Sequence, residues 1–196
     1  MKITIYGDRI SGNCLKVKWV ADRIGLAYDW IDVEILKGEA KTPDFLELNP
    51  AGQVPTVVLE DGSSLAQSGA IIWHFAEGSD LIPSSPFNRA KMLEWMFWEQ
   101  YSHEPVIAVR RFHKHYLSNT DDEIDPSLLV KGNACLARME TVLSAQPWFV
   151  AGALSLADIA LVAYTRFAPE GGFDLDPYPA IRSWISRVEE ALAIEP

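Results

Sequence analysis

The hydrophobic period of this chain changes near residue 80, and no other feature narrows the possible folds as much. Before that point, short segments that alternate apolar and polar residues, as strands do, are interleaved with segments of helical spacing. After it only helical spacing remains. The boundary falls in "SDLIPSSPF", residues 79–87, where three serines and two prolines disfavour regular structure. The pattern predicts one domain over residues 1–79, a linker over 80–87 and an all-helical domain over 88–196.

Within the first part, "KITIY" predicts a short strand. A helix from about Gly12 to Ile24 follows, with Cys14, Val17, Val20, Ala21 and Ile24 on its apolar stripe. "YDWIDVEI" predicts a second strand. Thr42-Pro43 pairs a capping residue with a proline suited to the first helical position, opening a short helix through "DFLEL". "TVVLEDGSSLA" is a hairpin turning at Asp61-Gly62, and "QSGAIIWHFAE" is an amphipathic helix. The order is βαβ, a helical segment, then ββα.

The second part opens on a long helical pattern, residues 88–117, interrupted by Pro105, which is expected to kink or break the helix and open a cleft. Further helices are expected over 126–145 and 178–193, the latter with Ile181, Trp184, Ile185 and Val188 on one stripe. Leu154-Ser155-Leu156-Ala157-Asp158-Ile159 has the form of a helix start: Ser155 as cap, Asp158 at the third position, Leu154 and Ile159 as a hydrophobic staple. Its role is structural.

With 196 residues, 48% of them hydrophobic, the chain can bury a substantial core. A net charge of -10, shared by both halves, argues against nucleic-acid binding, which needs clustered Lys and Arg. Two cysteines, Cys14 and Cys135, without a CxxC or a Cys/His cluster suggest neither a disulfide framework nor a metal site, and fit a reducing compartment. His113 and His115, two apart on a helix, face different ways. The apolar runs "ITIY", "AIIWHFA" and "IALVAY" are too short for a signal peptide or a membrane span. A soluble cytoplasmic protein is expected.

Two elements stand out. In "NPAGQVPTVV", residues 49–58, a proline directly precedes a strand. Held cis, it would turn the chain outward and leave the amide and carbonyl of Val54 to pair with an extended peptide; otherwise the segment is a plain loop before a hairpin. In "LAQSGAIIWHF", Gln67 and Ser68 sit at a helix start, where unpaired amides and a partial positive charge receive carboxylates; Ser68 could equally be an ordinary cap.

In this order after a βαβ unit, "SGNCLKV", "NPAGQVP", "DG", "QSGAIIWHFAE" and the Ser155–Asp158 capping box resemble the glutathione transferase superfamily over almost the whole chain. The resemblance implies an α+β, thioredoxin-like N-terminal domain that binds glutathione as co-substrate, followed by an all-helical domain that contributes the acceptor site. It also implies a homodimer, a small apolar electrophile as second substrate, and no metal. By the same resemblance, Val54 holds the cysteinyl part of glutathione through its own backbone, and Gln53 helps with the same tripeptide. Gln67 and Ser68 receive the γ-glutamyl end, with Gln67 standing where many members carry Glu. Lys41, or else Lys37, meets the glycyl carboxylate. A reductase or peroxidase using the same thiolate, and a non-catalytic binding protein, are the alternatives.

The chemical task is to ionise the glutathione thiol. A free thiol titrates near ~8.5, one pH unit corresponds to ~1.36 kcal/mol, and a hydrogen bond to a charged group is worth ~1.5–3 kcal/mol. A hydroxyl aimed at the sulfur therefore suffices without a base. Ser11 is placed to give it, as in the serine-type members this segment looks like, and Asn13 could add an amide donor. Cys14 is the rival nucleophile, but its angle puts it on the apolar stripe. Tyr6, at the end of the first strand, is expected to pack. Tyr101 and Glu104, before the Pro105 break, are expected at the acceptor site, with Phe97 and Trp98 adding apolar surface.

Overall fold

A computed structural model describes residues 2–194. They form two compact units, one ending at Ser79 and one beginning at Asp80.

The first unit carries β1 (Ile3–Gly7), α1 (Gly12–Arg23), β2 (Tyr28–Asp32), α2 (Pro43–Leu48), β3 (Thr56–Val58), β4 (Ser64–Ala66) and α3 (Ser68–Ala76). Its four-stranded sheet has the order β2-β1-β3-β4. β1 and β2, joined through α1, run parallel, whereas β3 is antiparallel to both β1 and β4. β2 is shorter than "YDWIDVEI" suggests, because its ladder ends where β1 does, with Gly7 opposite Asp32. Ile35–Lys37 then coil into a 3₁₀ turn.

Period-two alternation along β1 sends neighbours to opposite faces. Ile5, opposite Val57, is fully buried. Cys14, Val17, Val20 and Ala21 of α1 and Ile71, Ile72 and Ala76 of α3 are fully buried too, and α1 packs against α3. Each Val or Ile so buried contributes about 1.5–3 kcal/mol. Tyr6 instead meets Phe45 of α2 edge-on at 6.1 Å, in a smaller cluster with Val33, Ala40 and Val54. Thr42 caps α2, accepting from the Phe45 amide at 3.4 Å, and Pro43 takes the first helical position.

The second unit consists of α4 (Pro86–Trp98), α5 (Glu104–Arg111), α6 (Pro126–Leu143), α7 (Leu156–Thr165) and α8 (Pro179–Leu192). Every residue of α7 is buried, as expected of a helix apolar on all sides, and α4, α5 and α8 pack around it. Phe149 ties the core together, with its ring 4.7 Å from Trp95 and 5.3 Å from Trp184. Glu140 of α6 caps α8 from outside, accepting from the Ala180 and Ile181 amides at 3.0 and 2.9 Å.

Pro105 neither breaks nor isolates the helix. A π turn over Glu99–His103 joins α4 to α5 with helical backbone on both sides. Proline cannot donate to the carbonyl four residues back, and its ring crowds that carbonyl. The wider π register absorbs both defects without leaving helical dihedrals. No described helix is long and apolar enough to cross a membrane.

Candidate functional site

Strand register gathers the first unit's special residues. Tyr6 of β1 lies opposite Thr56 of β3, which lies opposite Ala66 of β4. The outgoing end of β1, the incoming end of β3 and the outgoing end of β4 therefore share one end of the sheet. Ser11 and Asn13, Gln53 and Val54, and Gln67 and Ser68 all sit just beyond it.

Ser11 takes the cap position of α1 with extended backbone (φ -75°, ψ 121°), yet its side chain makes no capping hydrogen bond. Main-chain bonds fix the turn instead: its N–H donates to the Asp8 carbonyl at 3.1 Å, and its carbonyl accepts from Leu15 at 2.9 Å. The hydroxyl is thus not spent on the helix amides, the usual fate of a serine there, and serves the Cys14 sulfur instead. The first turn of α1 itself holds no acidic residue.

Cys14 is fully buried, with the Asp8 amide donating to its sulfur at 3.3 Å. Burial pushes its thiol up to about 12, against the weaker pull of the Asp8 amide and the Ser11 hydroxyl. A thiol held so high supplies no nucleophile near neutrality.

Asn13 faces the start of α3: the Ser68 hydroxyl donates to its Oδ1 at 2.9 Å, and so does Lys16 Nζ at 2.9 Å. Ser68 is therefore not the cap of its helix. Gln67 holds the cap position with its main chain, its carbonyl accepting from Ile71 at 3.0 Å. Gln67 adopts φ 71°, a left-handed value that costs a non-glycine residue about 1–3 kcal/mol, while its side chain is exposed. The Gln67 side chain makes no cap hydrogen bond to the helix that would offset that strain.

The segment before β3 is held rigidly. Val54-Pro55 is cis. The Gln53 carbonyl accepts from Asn49 Nδ2 at 2.8 Å and from Thr56 Oγ1 at 3.0 Å. These bonds leave the Val54 amide and carbonyl without a partner among the described residues. Lys41 lies along the same segment, donating to the Ala51 carbonyl at 3.0 Å. Gly52 suits its place, with φ 59° and a main chain so close that a Cβ would come 2.7 Å from the Ala40 carbonyl oxygen. Lys37 instead pairs with Glu34 at 2.6 Å.

Asn49, Thr56 and Lys16 were not singled out from the sequence. Asn49 stands in the distinctive "NPAGQVP" segment, and Lys16 follows Asn13 by three on one helix face, so each left a faint signal.

In the second unit an open groove of about 420 Å³ is lined by Glu104, Pro105, Ala108, Val109, Phe112 and Tyr164. Glu104 belongs to it. Tyr101, in the π turn, is 88% exposed and lies outside its lining. Phe97 is exposed, whereas Trp98 packs edge-on against Trp95 at 5.2 Å beneath the Arg138 guanidinium. His113 lies 3.1 Å from Asn119 Nδ2, and His115 lies 3.4 Å from Glu170. Among the described residues no group of three or more His, Cys, Asp or Glu is arranged to hold a metal ion.

Comparison with known proteins gives this geometry its context. Residues 10–77 match the family model for the glutathione S-transferase N-terminal domain, and residues 97–191 match the model for its C-terminal domain. A glutathione S-transferase structure from Pseudomonas fluorescens superposes with a TM-score of 0.93 at 46% identity, over 96% of this chain and 95% of that one. Disulfide-bond oxidoreductase YfcG of Escherichia coli is 28% identical, over 90% of this chain and 85% of its own. Glutathione S-transferase 3 of Zea mays is also 28% identical, over 99% of this chain and 90% of its own. Matched along both of its parts and closely superposed on a solved member, the chain belongs to the glutathione transferase superfamily.

Proposed function

We propose that the protein is a glutathione S-transferase whose first unit binds glutathione and keeps its sulfur ionised for attack on an apolar electrophile. The observation that carries this reading is the Ser11 hydroxyl, which caps no amide of α1 and already serves a sulfur, that of Cys14, at a helix start whose first turn holds no acid. In this reading glutathione lies extended along Val54 and pairs with its amide and carbonyl as an added strand would. The γ-glutamyl end meets Gln67, Ser68 and the acid-free start of α3, where helix amides favour a carboxylate. Lys41 meets the glycyl carboxylate. The cysteinyl sulfur then comes to Ser11 and Asn13.

Ser11 donates its hydroxyl hydrogen to the sulfur, and the proton leaves to solvent, because no side chain of the site is needed as a base. The thiolate attacks the electrophilic carbon, the new C–S bond forms, and the leaving group departs with its electron pair. The acceptor is held by Tyr101 and Glu104. A cytoplasmic homodimer completes the proposal.

Calorimetric titration with glutathione tests the whole reading, since every enzymatic version requires binding. Conjugation of an aryl halide that survives Cys14→Ser but falls in Ser11→Ala supports it, and the reverse pattern sinks it. A second reading draws on the YfcG likeness. The same thiolate would attack a disulfide, with two glutathione molecules oxidised for each disulfide reduced to two thiols. Turnover of a small disulfide without conjugation would favour that reading.

A further inference from the structure

Between residues 49 and 56 a carboxamide and a hydroxyl meet on a single main-chain oxygen. Asn49, 6% exposed, commits its side chain to this segment: its Oδ1 accepts from the Ala51 N–H at 3.1 Å, and its Nδ2 donates to the Gln53 carbonyl at 2.8 Å and to Thr56 Oγ1 at 3.1 Å. The Ala51 N–H decides which end of the carboxamide faces where, since a nitrogen there would set donor against donor. The Thr56 hydroxyl in turn donates to the same Gln53 carbonyl at 3.0 Å. Thr56 is fully buried and paired in the sheet with Tyr6 on one side and Ala66 on the other, so the sheet sets where that hydroxyl stands.

The Gln53 carbonyl and the Val54 N–H belong to one peptide unit. That unit is trans, the cis bond lying one residue further on. In a planar trans unit the C=O and the N–H point opposite ways, so clamping the oxygen from one side aims the hydrogen to the other. The Val54 side chain, packed against Val33, Ala40 and Phe45, holds the far end of the unit. Two donors on one carbonyl also polarise the unit and make its N–H the stronger donor. We infer that Asn49 and Thr56 are positioning residues of the glutathione site: through the plane of the Gln53–Val54 peptide they aim the Val54 N–H at a main-chain carbonyl of the ligand. This rests on the glutathione reading above, in which Val54 receives the ligand as an added strand.

The test sets two substitutions at one position against each other in the whole protein. Thr56→Val keeps the shape and withdraws the hydroxyl, whereas Thr56→Ser keeps the hydroxyl and gives up a buried methyl. By calorimetric titration, glutathione affinity is expected to weaken about five- to tenfold in Thr56→Val, as for one lost hydrogen bond, and to stay within about twofold of wild type in Thr56→Ser. A merely structural role predicts no such order, because both substitutions loosen the fold. The signature of aim is the Val54 amide proton in nuclear magnetic resonance spectra of labelled protein. Saturating glutathione should move it downfield in wild type and Thr56→Ser, and far less in Thr56→Val. Asn49→Asp keeps an acceptor for the Ala51 N–H but withdraws both donors, so it follows Thr56→Val and decides the matter should that variant not fold. Unchanged affinity or an unchanged Val54 shift in folded Thr56→Val or Asn49→Asp overturns the inference and leaves the glutathione reading standing, as does a loss in Thr56→Ser equal to that in Thr56→Val. Wild-type protein that binds no glutathione, or binds it without moving the Val54 amide, overturns the reading at Val54 and the inference with it.

Discussion

Ser155, Ser11 and Ser68, each at a helix start, divide into two kinds. Ser155, before α7, is 1% exposed and wholly committed: its N–H and hydroxyl donate to Asp158 Oδ2 at 3.0 and 2.9 Å. Asp158 Oδ1 takes the Phe149 amide at 3.1 Å and the Trp184 indole N–H at 3.0 Å. Ser11 makes no side-chain cap bond to the amides of α1, its hydroxyl serving the Cys14 sulfur, and Ser68 points across to Asn13. The difference lies in one neighbour. The start of α7 has an acid at its third position, whereas the first turns of α1 and α3 have none. An acid there closes the capping box and offsets the helix charge. Where it is missing, the serine and the helix terminus both remain able to receive an anion. The closed start holds the fold, and the open starts of α1 and α3 are the ones to which we assign the ligand.

The sharpest way to break this comparison is Asp158→Ala. It strands four donors in the core, and because each unsatisfied buried group costs about 1–3 kcal/mol, stability should fall by more than about 3 kcal/mol. Denaturant unfolding measures the loss, and glutathione affinity of the protein that remains folded should not move. The next effect is the mirror image. Ser11→Ala removes a hydrogen bond to charged sulfur worth about 1.5–3 kcal/mol, so kcat/KM for conjugation should drop about 10- to 150-fold. Its unfolding free energy should stay within about 0.5 kcal/mol, since no cap is lost. A large stability loss in Ser11→Ala would show that the two kinds of serine are one kind.

The closed start was legible in the sequence because everything it needs is local: Ser155, Asp158, Leu154 and Ile159 lie within six residues. The same holds for the helical stripe that took Cys14 into the core and for the order of elements along the first unit. The open starts were legible only as candidates. What their hydroxyls do depends on Asn13 meeting Ser68, 55 positions away, and on the register that aligns Tyr6, Thr56 and Ala66. Local spacing carries neither. The left-handed backbone of Gln67 is hidden for the same reason, since nothing in a glutamine calls for it. At Pro105 the sequence announced a defect correctly, but not that a π turn would absorb it.

A smaller effect separates the two kinds of helix start by pH. Burial raises Asp158 from 3.8 to about 6 in the folded protein, more than its four donors lower it. The folded state therefore holds its proton more tightly than the unfolded chain between those values. This residue's contribution to stability is full below pH 3.8, fades as pH rises through about 6, and is flat above. Melting curves of wild type and Asp158→Asn, which lacks the titration, should differ by an amount that shifts against wild type as pH climbs through that window. A pH-independent difference would mean the carboxyl is less desolvated than its surroundings require.

The smallest expected effect concerns the thiol between the two open serines. Cys14 sits one turn from Ser11 in sequence, yet its sulfur is fully buried and its thiol is pushed up to about 12. Practically none of it is thiolate at pH 7, and thiolate is the reactive form. Cys14→Ala should therefore keep conjugation within about twofold of wild type. Its cost falls on the fold instead, about 1 kcal/mol for the lost packing, roughly what one buried methylene-sized group contributes. Native protein should also resist a disulfide reagent such as dithionitrobenzoate at this position and react only on unfolding, with Cys135→Ser used to isolate the signal. Rapid native labelling of Cys14, or a conjugation rate that falls tenfold in Cys14→Ala, would place the reactive sulfur in the protein rather than in its ligand and reverse the roles assigned to the two side chains.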